Sequence, residues 1–269
     1  MVQFHNLTLT LEALGSCGVV LPLEQKAVLA HSLPLKQAKA GLRSLKCWGK
    51  VTARNGKDYL IAQGAGKLSP GQLPRTALKY SVSQDGVKWI DLEALSDDVA
   101  SKAATITGML SGEPAKSYTI QEPGAPPAAE GEEGAAAGDE GAAPGIQISE
   151  LQRLRYIVDA VSADTSVVPK GSVRTDASGK VVKHENFSGI SYPDKLESYV
   201  HGMDGPDGAS LAKDVQGTWA LQYDAFQGKT ILRSLIWPGY QFYYLGATCS
   251  WGAQYHGDGC KNNDLVFML

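Results

Sequence analysis

The sequence predicts an α+β protein, with an antiparallel, strand-rich sheet, a few helices and one flexible insertion. Three observations carry this reading. Residues 219–267 hold 11 of the chain's 21 Trp, Tyr and Phe residues, several of them in period-two alternation. Ser149-Glu-Leu-Gln152 matches a capping box ahead of apolar residues at helical spacing. Residues 121–145 consist of eight Ala, six Gly, four Pro, six acidic residues and one Gln. Such a segment lacks the apolar surface needed to offset the entropy of ordering.

In chain order, residues 6–14 start at Asn6, a good helix cap, and stop at Gly15. Leu7, Leu11 and Leu14 fit a helix face, while Leu7, Leu9 and Leu11 fit a strand face equally well. Residues 22–31 read as a helix that ends before Pro34, with 35–43 as a second short helix. Residues 46–64 read as a hairpin turning at Asn55-Gly56, with Val51 and Ala53 across from Tyr59 and Ile61. Residues 77–82 and 87–92 are two more strands around Gln84-Asp85-Gly86. Ser96 then caps a helix running to about Ala103.

Residues 113–147 form the flexible insertion, for which a plain linker is the simpler reading and an acidic docking tail the sharper one. Beyond it, a helix over 149–161 places Leu151, Leu154, Val158 and Val161 on one face. Val167–Arg174 and Lys180–Lys183 suggest a hairpin around Ser178-Gly179, and 191–200 a helix entered through Pro193. From Trp219 onward the pattern is strand and turn. Within 230–245, two apolar runs flank Pro238-Gly239, a pairing that suits a type II turn or a wider connection. Three segments follow: 1–112, the insertion 113–147, and 148–269. The first and third are expected to share one core.

Charge and motifs exclude several function classes. Net charge is −3, which makes no electrostatic case for nucleic acid. No stretch approaches the roughly 20 apolar residues of a membrane span, and the first residues lack a signal-peptide pattern. Four scattered cysteines, Cys17, Cys47, Cys249 and Cys260, fit a reduced cytosolic chain rather than a disulfide scaffold. Gly64-Ala-Gly66-Lys67 fails as a phosphate loop, because Ile61 and Leu68 stand where Gly and Ser or Thr are needed. Ser69 likewise breaks a dinucleotide fingerprint. His201 with Asp204, and His256 with Asp258, are acid–base pairs by adjacency only, in loop-like surroundings. A zinc site from Cys249, His256 and Cys260, with Asp258 or Asp264 as fourth ligand, is the alternative chemistry. It lacks the close ligand pairs of structural zinc, and two reduced thiols with a loop histidine is the plainer reading.

Three blocks carry a family resemblance. Trp48-Gly49-Lys50 followed by Asp58-Tyr-Leu-Ile-Ala-Gln-Gly64 is one. Val168-Pro-Lys-Gly171 is the second. Leu232-Arg-Ser-Leu-Ile-Trp-Pro-Gly239, with Asn263-Asp-Leu265 and Phe267-Met-Leu269, is the third. On these the chain resembles the radial spoke head protein 4/6/9-related family, over about residues 7–269. Cys249 and Cys260 lie outside the family's pattern. The resemblance implies a non-catalytic structural subunit of the radial spoke head of motile cilia and flagella, placed in the axonemal cytoskeleton. It implies no cofactor, and as partners radial spoke head proteins 1, 4, 6 and 10, with self-association within the spoke head. The candidate contact residues are Leu232, Ile236, Trp237, Tyr240, Phe242, Tyr243 and Tyr244, with core burial as the competing reading, because alternation buries one sheet face.

Overall fold

A computed structural model describes residues 6–18, 20–66, 78–120, 146–176 and 181–267. Its frame is an eight-stranded sheet of β1 (Ser44–Val51), β2 (Tyr59–Ala65), β3 (Leu78–Ser83), β4 (Ile90–Leu92), β11 (Trp219–Asp224), β12 (Lys229–Ser234), β13 (Tyr240–Leu245) and β14 (Ser250–Gly257). The strand order is β11-β12-β13-β14-β1-β2-β3-β4. All neighbours are antiparallel except β14 and β1, which run parallel. Two antiparallel meanders, one from each end of the sequence, are thus joined along one parallel seam.

Both faces of the sheet are covered, which explains why its strands are so apolar. On one face, α4 (Glu150–Thr165) packs Leu154, Ile157, Val158 and Val161 against Val51, Tyr59, Ile61, Leu232, Phe242 and Tyr244. On the other, α1 (Asn6–Gly15) and α2 (Leu23–Ala40) pack Leu11, Leu14, Leu29 and Leu33 against Leu45, Leu60, Ala62 and Tyr243. Alternate residues of β2 and β13 therefore go to different cores, as the two-residue period requires. Each large side chain so buried contributes about 1.5–3 kcal/mol.

Several elements differ from the sequence expectation. The segment from 6 to 15 is helical, so its leucines follow the 3.6 period. Instead of two helices around Pro34, α2 runs through it. Pro34 and Ala30, whose carbonyl loses its helical donor, both lie on the exposed side, which leaves that carbonyl open to solvent. Gly41 closes the helix with its N–H on the carbonyl of Ala38. Asn55-Gly56 sits in a wider loop rather than a two-residue turn. Val51 pairs with Tyr59, but Ala53 leaves the hairpin to bridge Leu110. The box at Ser149 is closed in both directions, with Gln152 N–H on Ser149 Oγ at 3.3 Å and Ser149 N–H on Gln152 Oε1 at 2.9 Å.

Around the low-complexity segment, β5 (Ser117–Ile120) and β6 (Ile146–Ser149) pair antiparallel, ending at Ile120 opposite Ile146. Residues 121–145 lie outside the described part. Val167–Pro169 (β7) does not join the predicted hairpin. It pairs with β10 (Tyr199–His201), and only β8 (Val173–Thr175) and β9 (Val181–Lys183) pair with each other. Their turn, with Ser178-Gly179, lies outside the described residues. The helix expected over 191–200 is replaced by a 3₁₀ turn, Leu196–Ser198, and β10. Tyr199 is fully buried and Val200 nearly so, and a β-branched and an aromatic neighbour suit a strand better than a helix. A helix α3 (Asp97–Thr105) starts after Ser96, as expected, but the Ser96 side chain makes no capping hydrogen bond.

Candidate functional site

Two of the three family-resembling blocks meet on β14, one along its seam with β1 and one on its other side. Gly49, Lys50 and Val51 pair with Tyr255, His256 and Gly257. The register of β1 shifts between Cys47 and Gly49, a bulge that frees Trp48 from the ladder. Gly49 has φ 152°, and a Cβ there would sit 2.1 Å from the Tyr255 carbonyl oxygen. Only glycine allows the two backbones to approach this closely. The Pro238-Gly239 step reaches the same strand from its other side. Tyr240 N–H donates to Trp237 O at 3.0 Å, and Gly239 has φ 99°, as a type II turn requires. His256 N–H then donates to Gly239 O at 2.9 Å, and a Cβ on Gly239 would lie 2.3 Å from His256 O.

Two indoles tie this seam to α4. Trp48 Nε1–H donates to Ser162 Oγ at 3.0 Å, and its ring lies 5.3 Å from that of Tyr255. Trp237 Nε1–H donates to Asp164 Oδ2 at 2.8 Å, an oxygen that also takes Lys261 Nζ at 2.9 Å. Buried aromatics with a polar tip need such partners, and α4 supplies them at its C-terminal end. His256 is pressed down to a pKa of about 4, first by burial and then by the charge of Lys50, so it is neutral in the folded chain at pH 7.

A buried carboxylate anchors the other end of α4. Glu150 is fully buried. Its Oε1 accepts from Tyr59 Oη at 2.8 Å and Gly112 N at 2.7 Å. Its Oε2 accepts from Ser111 Oγ at 2.5 Å, Ser111 N at 3.2 Å and Tyr118 Oη at 2.7 Å. Burial alone would raise its pKa. The hydrogen bonds from Ser111, Tyr118, Tyr59 and Gly112 outweigh that and hold it below the usual carboxylate value. The guanidinium of Arg153 lies 5.2 Å from the Tyr118 ring centroid, and Arg153 also donates to Gly108 O. Through Glu150, β2, the 110–112 segment, β5 and α4 are held at one point. Sequence reasoning read this stretch only as a helix cap. The acidic residue at the first helical position was the one available sign, and it did not say which partners would surround it.

The seven candidate contact residues fall largely inside the folded chain, on the core side of the two readings. Leu232, Trp237, Tyr240, Phe242, Tyr243 and Tyr244 are buried, and Ile236 is half-buried. Alternation would have exposed one face, but helices cover both. Leu232, Phe242 and Tyr244 face the α4 side, and Tyr243 faces α1, where its hydroxyl lies 3.2 Å from Thr10 Oγ1.

The residues of the zinc alternative are not brought together. Cys249 precedes β14 and His256 lies near its far end, so seven residues of extended chain, about 23 Å, separate them. Among the described residues no group of three His, Cys, Asp or Glu side chains is placed to hold a metal ion. The acid–base pair at His201 is rearranged too. Its Nε2 lies 2.9 Å from Asp214 Oδ2, an oxygen that also accepts from Trp219 Nε1 at 2.7 Å. The side chain of Asp204 lies outside the described part. His201–Asp214–Trp219 is a brace: the carboxylate is held by an imidazole on one strand and an indole on another. His256 finds Gln254 Oε1 at 3.2 Å rather than Asp258.

Comparison with known proteins bears directly on the family. No family model matches the chain. Curated relatives match along nearly its whole length. It is 30% identical to a radial spoke head protein 9 homolog of Danio rerio, over 98% of this chain and 99% of the relative. The identity is 31% with the homolog of Xenopus tropicalis, at the same coverage, and 28% with that of Homo sapiens. With two of the resembling blocks meeting on β14 and relatives matched end to end, the chain belongs to the radial spoke head protein 9 family.

Proposed function

We propose that this chain is a non-catalytic structural subunit of the radial spoke head, working in the axoneme of motile cilia or flagella. The observation that carries this reading is the end-to-end likeness to radial spoke head protein 9 homologs. In this role it assembles with radial spoke head proteins 1, 4, 6 and 10. It helps pass contact forces between the central pair and the outer doublets, and so helps control dynein-driven bending. The fold supports a mechanical part. One sheet runs unbroken through eight strands, is clad by helices on both faces, and is cross-tied by buried side-chain hydrogen bonds at both ends of α4. A body so tied deforms little under load, because close-packed interiors transmit strain.

The test is co-expression of the full chain with those four subunits, followed by gel filtration and mass analysis of the peak. Co-elution is the expected result. A chain that elutes alone under conditions in which the other four assemble overturns the reading.

A further inference from the structure

Among the described residues the outer edge of β11 is open. β11 ends the strand order and pairs only with β12, along all six of its residues. Leu235 N–H donates to Thr218 O. In an antiparallel ladder this fixes the alternation, so Thr218, Ala220, Gln222 and Asp224 turn their backbone groups toward β12. Trp219, Leu221 and Tyr223 therefore turn theirs outward. Among the described residues no strand pairs with that edge.

Proteins usually guard an open edge with Lys, Pro, a bulge or a very short strand. This one reads Trp-Ala-Leu-Gln-Tyr-Asp, with no Lys and no Pro, and its register with β12 is unbroken. By contrast, the edge strand at the other end of the sheet, β4, has three residues. Exposed apolar side chains stand at both ends of β11. Phe226 is 98% exposed and Val215 64%. Phe226 lies in the β11–β12 turn, whose form is fixed by Asp224 Oδ1 accepting from the N–H groups of Phe226 at 2.9 Å and Gln227 at 3.2 Å. The exposed aromatic ring of Phe226 beside an open strand edge is apolar surface available to a partner.

We propose that β11 pairs with β11 of a second copy of this chain, antiparallel, about a two-fold axis through Leu221. The register centred on Leu221 aligns the longest stretch, Thr218 to Asp224. The outward groups of Trp219, Leu221 and Tyr223 then meet those of Tyr223, Leu221 and Trp219, forming about six new hydrogen bonds. In this register Asp224 faces Thr218 of the second copy, so no like charges are opposed. The same register brings each Phe226 turn alongside the second copy's 215–218 turn, and so joins the two most exposed apolar residues flanking the strand. This self-complementarity is what selects a second copy as the occupant. An isologous contact of this kind closes on itself and does not propagate.

The inference gives a surface to the self-association that the resemblance implies, and its test is separate from the spoke-head reading, because the isolated full chain is used. Sedimentation velocity is run from roughly 1 to 100 µM, a range that spans ordinary transient affinities. A monomer–dimer equilibrium is expected. Phe226→Asp, at a site too exposed to disturb the fold, weakens it about tenfold or more. Tyr223→Pro removes an outward N–H and abolishes it, while circular dichroism shows the sheet retained. Hydrogen exchange at the amides of Trp219, Leu221 and Tyr223 slows as concentration rises. A chain that stays monomeric throughout overturns the proposal, as does a dimer that neither variant weakens. Protection of those three amides only after another spoke head subunit is added also overturns it, and assigns the edge to that subunit.

Discussion

Replacing Glu150 with Gln is the sharpest test of how α4 is held. The carboxylate offers only acceptors, and five donors use them: two at Oε1 and three at Oε2. Gln turns one acceptor into a donor group. The hydroxyls of Tyr59, Ser111 and Tyr118 can rotate to accept from it. Backbone N–H groups cannot, and each oxygen position faces one, Gly112 or Ser111. Either orientation of the amide leaves a backbone N–H unmatched, at about 1–3 kcal/mol, and the remaining bonds change from charged to neutral. The expected loss is about 3 kcal/mol in urea denaturation at pH 7, followed by Trp fluorescence. Tyr118→Phe, which removes one donor and leaves the carboxylate four, loses about 1.5 kcal/mol. There is also a pH signature. Because the folded pKa of Glu150 is lowered, its contribution is complete above the usual carboxylate range and is lost as pH falls through the folded value. The gap between wild type and Glu150→Gln should therefore close in acid. A Gln variant within about 0.5 kcal/mol of wild type at pH 7 would refute the five-donor account.

Three further outcomes follow from the seam and the stem. Gly239→Ala forces a Cβ against the His256 carbonyl at a positive φ, so the midpoint of thermal unfolding should drop by about 10 °C, and an unchanged midpoint counts against the close approach. His256 binds a proton in the unfolded chain near pH 6.5 but in the folded chain only near pH 4, so stability is lost as pH falls between those values. From pH 7 to pH 5 the loss is about 2 kcal/mol, and His256→Gln should flatten that limb of a pH-resolved denaturation series. Replacing residues 121–145 by Asn-Gly joins Ile120 and Ile146, which already face each other, so stability should stay within about 1 kcal/mol by calorimetry, and spoke head subunits should still co-elute.

Periodicity made much of this legible in the sequence. The capping box at Ser149, the aromatic alternation of 240–244 and the type II turn at Pro238-Gly239 are local features, set by residues within one or two turns of one another. What stayed hidden was long-range. Nothing near Pro34 reveals that the carbonyl it orphans faces water, so α2 was cut in two. Nothing near Tyr243 shows that α1 covers the second face, so the sequence leaves open which side of 230–245 is core. Glu150 looked like an ordinary acidic first-turn residue, because its five donors come from three separate stretches of chain. Asp214 as the partner of His201 was hidden for the same reason, lying 13 residues away across a turn.

The parallel pairing of Gly49 with Tyr255 joins positions about 200 residues apart. During synthesis, β1 emerges early and must wait for almost the whole chain before its outer side is matched. Until then the nascent protein carries an unpaired, apolar strand that invites pairing with other chains. Among the described strands, β14 comes last in chain order and is the one that joins the two meanders. A premature stop before Tyr255 would leave both meanders unjoined, whatever the length of correct sequence already built. Loss of residues 255–269 alone should therefore act on the level of folded protein rather than on one local contact.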